Sequence, residues 1–224
     1  KKKNLVCAID HTFLFTGAVK KIKEIVDSGE IGEITYFDSV RVNLGLFQHD
    51  VDVIWDLAPH DLSILYYITG ERPVAVTANG VDHLNNGHVD IAYLTLNYES
   101  KMIANFHVNW LSPVKIRKIL IGGTKKMIVF DDMEPSEKIK IYDKGVDLVE
   151  PEDIHNLLVK YRSGDMVAPD ISLTEALKLE VSDFINRVKL NAMSSDNDLM
   201  HGRDIVEILE ASSLSLKKLT TIKL

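Results

Sequence analysis

Residues 102–111 read Met102-Ile-Ala-Asn-Phe-His-Val-Asn-Trp-Leu111, and their alternation decides the fold class. Met102, Ala104, Phe106, Val108 and Trp110 fall on one side of an extended chain, with Asn105, His107 and Asn109 on the other. That period-two pattern marks a strand with one face in a core. The habit repeats outward. Stretches 74–80 and 89–98 upstream, and 116–121, 127–130 and 139–142 downstream, read as further strands. Turn residues separate them: Asn85-Asn86-Gly87, Glu99-Ser100, Ser112-Pro113, Gly122-Gly123 and Glu134-Pro135. Connections this short imply an antiparallel meander and not βαβ crossovers.

Before the meander, Ile34 to Leu44 alternates between an apolar face (Ile34, Tyr36, Val40, Val42, Leu44) and a mixed one (Thr35, Phe37, Ser39, Arg41, Asn43). Helical spacing appears in Ala18, Val19, Ile22, Ile25 and Val26, stopped by Ser28-Gly29, and again over 57–69, closed by Gly70 in a left-handed cap. Ser172-Leu-Thr-Glu175 has the form of a capping box opening a helix with Ala176, Leu177, Leu179, Val181, Phe184, Ile185 and Val188 inside. A last helix covers 203–218, and 149–170 reads as irregular. Leu5 to Ile9 reads as a short buried-type strand. The expected fold class is therefore α+β: a large, mostly antiparallel open sheet with helices on one face. The other face meets water, ligand or a second copy, so a homo-oligomer is expected.

Composition narrows the function. The 224 residues are 46% hydrophobic and 26% charged, with no apolar run long enough to span a membrane. A net charge of −7, without a basic block beyond Lys1-Lys2-Lys3, excludes the concentrated positive charge of a nucleic-acid binder. One cysteine, Cys7, leaves no intrachain disulfide and no multi-cysteine zinc site, which fits a reducing cytoplasm.

The sharpest chemical feature is Trp55-Asp-Leu-Ala-Pro-His-Asp61. Asp56 and His60 stand i and i+4, so a helix puts both on one face. A carboxylate beside an imidazole can fix its tautomer for general-base work near neutral pH. The competing reading makes Asp56 the N-cap, places Pro59 in the first turn, and leaves His60 as a half-buried surface residue. His83, His88 and Asp90 around a hairpin lack a further ligand set, so no metal is expected. Gly122-Gly123-Thr124-Lys125 lies between strands without the helix that a phosphate loop needs. The polar rows of Arg41 with Asn43, and of Asn105, His107 and Asn109, are candidates for a ligand floor or subunit interface, with plain solvent exposure as the alternative. Lys115 and Arg117 carry a weaker signal of the same kind.

The sequence resembles the glucose–fructose oxidoreductase / inositol dehydrogenase (Gfo/Idh/MocA) family over almost its whole length. Val6-Cys-Ala-Ile-Asp-His-Thr-Phe-Leu14 resembles the family's VGHTFLY segment, and Ser28-Gly-Glu-Ile-Gly-Glu-Ile34 its SGELGEI turn. Arg41-Val-Asn-Leu-Gly45, the 55–61 stretch, Asn109-Trp-Leu-Ser-Pro113 and the run from Gly202 through Ser212 resemble later segments in the right order. The resemblance implies hydride transfer between a sugar-like or nucleotide-sugar hydroxyl and NAD or NADP. His60 would accept the hydroxyl proton and Asp56 would orient it. Arg41, Asn43, Asn109 and Trp110 would contact substrate, while His11, Phe13 and Trp55 would lie against the cofactor. The chain departs from the family in having no Glu-Lys-Pro and no G-x-G-x-x-G. The expectation is a C-terminal substrate and assembly domain over 16–224. Residues 1–15 would be the remnant of a nucleotide-binding half, and the piece would be inactive by itself. The alternative is a binding or oligomerisation module that kept the fold and lost the chemistry.

Overall fold

A computed structural model describes residues 5–45, 48–143, 145–147, 160–162, 164–192 and 199–224. Its framework is a nine-stranded sheet in the order β10-β7-β6-β5-β1-β4-β3-β2-β11. The central members are β1 (Ile34–Leu44), β2 (Ala75–Val81), β3 (Ile91–Asn97), β4 (Ile103–Asn109), β5 (Leu111–Gly123), β6 (Met127–Asp131) and β7 (Ile139–Tyr142). Two-residue strands β10 (Met166–Val167) and β11 (Ile222–Lys223) close the edges, and β8 (Gly145–Asp147) pairs with β9 (Lys160–Arg162) separately. The helices are α1 (Gly17–Asp27), α2 (Val53–Thr69), α3 (Ala176–Leu190) and α4 (Leu199–Lys218), preceded by a 3-10 turn, Thr12–Phe15. Among the described residues no helix is long and apolar enough to cross a membrane.

The α+β class and the open sheet hold, but the meander is interrupted. β1 enters between β4 and β5, parallel to the first and antiparallel to the second. Only Trp110 separates β4 from β5, so the chain rounds the end of β1 there. Ser112-Pro113 therefore lies inside β5 and is not a turn. Gly122 and Gly123 also belong to β5: a Cβ on Gly122 would sit 1.9 Å from the Tyr36 ring, and one on Gly123 2.1 Å from the Ile31 carbonyl oxygen.

Alternation along β1 was legible, but the face it buries is the mixed one. Phe37, Ser39 and Arg41 are buried beneath α2, while Tyr36, Asp38 and Val40 lie on the half-open side. Phe37, Ile22, Ile54, Leu65, Phe106 and Trp110 belong to one continuous core between sheet and helices.

α2 begins earlier than the periodicity suggests. Asp52, not Asp56, is the N-cap, its carboxylate accepting from the Ile54 and Trp55 amides at 2.9 and 3.1 Å. Pro59 is consequently inside the helix and leaves the Trp55 carbonyl without its usual i+4 donor. Gly70 does cap the C-terminus at φ 66.

The expected strand Leu5–Ile9 has no regular structure. A strand needs a neighbour for its amides and carbonyls, and none of the described strands lies beside it. Instead Ile9 packs over Gly202 of α4, where a Cβ would come within 2.5 Å of Ile9 Cγ1. α3 overturns two further expectations. Its N-cap is Glu175, which makes no side-chain cap bond, and the Ser172 hydroxyl bonds Thr174 ahead of the helix. Its apolar residues Leu177, Val181, Phe184, Ile185 and Val188 face outward, while Glu180 and Arg187 are buried. Periodicity shows that a helix has an apolar stripe; the packing of α3 against the 3-10 turn decides where that stripe points. Much of the irregular 149–170 stretch lies outside the described residues.

Candidate active site

The first two turns of α2, the 3-10 turn and the adjoining part of β1 and β5 meet around the Phe13 ring. His60 packs edge-on to it at 5.4 Å between ring centroids. The Arg41 guanidinium stands over it at 4.7 Å, and that of Arg117 at 6.0 Å. Arg41 and Arg117 are register partners across β1 and β5, which fixes both on the helix-covered face.

Arg41 is held by Asp61, one residue beyond His60. Its Nε and Nη2 donate to the two Asp61 oxygens at 3.0 and 2.5 Å, and the Ser39 hydroxyl donates to Oδ2 at 2.5 Å. Both ends of this ion pair are buried. Burial is affordable only because a bidentate fork plus a hydroxyl satisfies the carboxylate.

His60 is half-buried. Burial pushes its imidazole below the ordinary value, and the Arg41 and Arg117 cations push the same way against the opposing Asp61 and Asp56 charges. The ring is therefore neutral at pH 7, the form that can accept a proton. Asp56 does not orient it. The Asp56 carboxylate accepts from Trp110 Nε1 at 2.8 Å, and no hydrogen bond joins it to His60 among the described residues. The i, i+4 spacing brought the two onto one helix, but a buried indole N–H needed an acceptor and takes the carboxylate.

A second cluster adjoins His60. The buried rings of His11 and His201 stand 5.0 Å apart, and Tyr66 lies 4.7 Å beyond His201. Tyr66 Oη donates to Asp204 Oδ2 at 3.2 Å. Burial, then the neighbouring His201 and His60, push the His11 imidazole down to about 4, against the pull of Asp10. His11 Nε2 is buried without a hydrogen-bond partner among the described residues.

Of the residues singled out from sequence, His60, Arg41, Phe13 and His11 converge. Asp56 and Trp110 pair with each other at the edge of the group. Asn43 stands at the end of β1, its Nδ2 and the Trp110 ring both crowding Gly45. Trp55 points elsewhere, donating from Nε1 to Ser213 of α4 at 2.9 Å and lining a cavity of about 350 Å³ with Asp50, Asp52 and His88. Asn109 lies on the opposite face of the sheet, its side chain accepting from the Leu111 amide at 2.6 Å. Arg41 is no free ligand group on an open face, since Asp61 occupies its fork. Sequence reasoning passed over Asp61, Ser39, His201 and Tyr66. The available signal was Asp61 itself, an acid at an otherwise buried helix position that needs a cation opposite. At the hairpin, buried Asp90 is taken up by the His83 and Leu84 amides and by His83 Nδ1.

Residues 19–129 match the profile of the GFO/IDH/MocA C-terminal domain. The chain carries that domain. It is 26% identical over 192 residues to UDP-N-acetylglucosamine 3-dehydrogenase from Acidithiobacillus ferrooxidans, a match covering 84% of this chain and 55% of that protein. The solved structure of that dehydrogenase superposes with a TM-score of 0.76 at 23% identity over 97% of this chain and 64% of the other. Aldose-aldose oxidoreductase from Caulobacter crescentus, complexed with glycerol, gives a TM-score of 0.80 at 15% identity, covering all of this chain and 65% of that one. A levoglucosan dehydrogenase, in complex with NADH and levoglucosan, gives 0.76 at 16% identity, covering 99% and 67%. At these identities the structural likeness concerns the fold. The chain thus spans about half the length of that dehydrogenase.

Proposed function

We propose that the protein carrying this domain is an NAD(P)-dependent oxidoreductase of a sugar or nucleotide-sugar hydroxyl, with His60 as the general base. The single observation that carries this reading is the His60 imidazole packed on Phe13 beside Arg41 and Arg117, where burial lowers its hold on a proton. A hydroxyl losing hydride must also lose its proton, and a neutral imidazole flanked by fixed cations can take it.

For the cofactor, the orphaned His11 Nε2 beside His60 fits a polar group brought in from outside this chain. The chain has no glycine-rich loop to cradle a pyrophosphate, so its residues fit one wall of a dinucleotide site and not the whole. When bound, the nicotinamide supplies the hydride acceptor. His60 holds the proton at a ring nitrogen, and Phe13 with the Arg41–Asp61 pair keeps that ring in place. The nucleotide-sugar preference leans on the named activity of the Acidithiobacillus relative. The domain by itself binds no dinucleotide and turns nothing over, and the open sheet face joins copies into a homo-oligomer of a cytoplasmic enzyme.

The test uses the whole protein. Reduction of NAD and NADP is followed with UDP-N-acetylglucosamine and a panel of free sugars, wild type against His60→Ala. Turnover is expected to fall by about 10²- to 10⁴-fold. Undiminished turnover removes His60 as the base, and no turnover by the wild type on any sugar favours the non-catalytic module.

A further inference from the structure

We propose that Arg117 is an anion-binding residue of this site, taking a carboxylate or phosphate oxygen of the sugar substrate; this rests on the reading of the His60 cluster as the active site. The two arginines that flank Phe13 differ in how their charge is spent. Arg41 has both Nε and Nη2 on Asp61, a bidentate pair. Arg117 has a single side-chain contact to an acid, Nη1 to Asp132 Oδ2, at 3.4 Å. Asp132 is also shared: its other oxygen lies 3.4 Å from Lys138 Nζ. Two cations therefore divide one acid, and neither contact is short.

Arg117 Nε is moreover buried with no hydrogen-bond partner among the described residues. A guanidinium N–H shut away from water costs free energy unless an acceptor reaches it, so the arrangement is complete only when one arrives. The side chain is 32% exposed, which leaves a way in from solvent. Its planar fork matches the paired oxygens of a carboxylate or phosphate, which a neutral sugar hydroxyl does not supply. Its strand register opposite Arg41, with Phe13 between it and His60, puts the proposed anion on the same side of the sheet as the proton acceptor.

Binding of three probes to the whole protein is measured by calorimetry: UDP, with phosphates and no carboxylate; D-glucuronate, with a carboxylate and no phosphate; and N-acetylglucosamine, with neither. Arg117→Gln is expected to weaken one of the two anionic probes by about ten- to a hundredfold, leaving N-acetylglucosamine unchanged. The arm that weakens identifies phosphate or carboxylate as the source. Asp132→Asn, which removes the competing acid, is expected to tighten the same probe. Equal affinities of wild type and Arg117→Gln, or failure of both anionic probes to bind the wild type, overturn the assignment. Because binding is read without turnover, an inert His60→Ala control that still binds the anion separates this result from the identity of the base.

Discussion

On the helix-covered face of β1, Ser39 and Arg41 send their polar groups to one carboxylate, Asp61, on a different element. On the open face, the polar groups of the neighbouring strands serve each other. Thr95 donates to Asn105, Asn105 donates to Asp38, and the Tyr93 ring stacks on His107 at 4.4 Å. The covered face ties sheet to helix through buried charge; the open face knits strand to strand through half-wet contacts. The lesson is that a polar row on a strand says nothing by itself about exposure. What decides is whether the covering element offers a counter-charge.

The hardest way to break the covered face is to remove that counter-charge. Asp61→Ala strands Arg41 in the core, and a loss of about 3–5 kcal/mol in urea denaturation is expected. A loss below 1 kcal/mol would mean that water reaches the pair. Acid attacks the same face more gradually. His11 stands at about 4 in the fold, so the unfolded chain, at the ordinary 6.5, binds the extra proton first. Stability is fully present above pH 6.5 and declines as pH falls toward 4, by about 3 kcal/mol in all. His11→Gln should flatten that part of the stability profile, while an unchanged slope would place the titration elsewhere. The smallest effect belongs to the open face. Tyr93→Ala should cost under about 1 kcal/mol in the stability of the domain. If the face joins copies, the same change shifts the light-scattering mass of the whole protein from oligomer to monomer; a mass unaltered in both forms argues against that face.

Much of the architecture was legible in local pattern. β1 runs over Ile34–Leu44 as its alternation indicates, and Gly70 ends α2 in the expected left-handed conformation. What escaped were choices made by distant partners. Alternation defines two faces of β1 without saying that Asp61 will draw the mixed one inward. The spacing of Asp56 and His60 is right for a pair, yet Trp110 Nε1 claims the acid from the corner between β4 and β5, more than fifty positions away. The stripe on α3 is obvious from Leu177, Val181 and Phe184, but not its outward direction. His11 and Phe13 were within reach because their segment resembles a family, whereas His60 and Arg41 were already marked by the i, i+4 spacing and by the polar row on β1. Arg117 carried little signal, since only its buried, unbonded Nε distinguishes it.

β1 is also the single seam between two otherwise continuous hairpin runs, β2-β3-β4 on one side and β5-β6-β7 on the other. Because it precedes both in the chain, its long edges stay unpaired during synthesis until residues 103–123 have emerged. Such sequence-distant pairing is slow to form. A slip of one position at that seam would turn Arg41 outward and Val40 inward, and so dismantle the Phe13 cage while leaving each run intact.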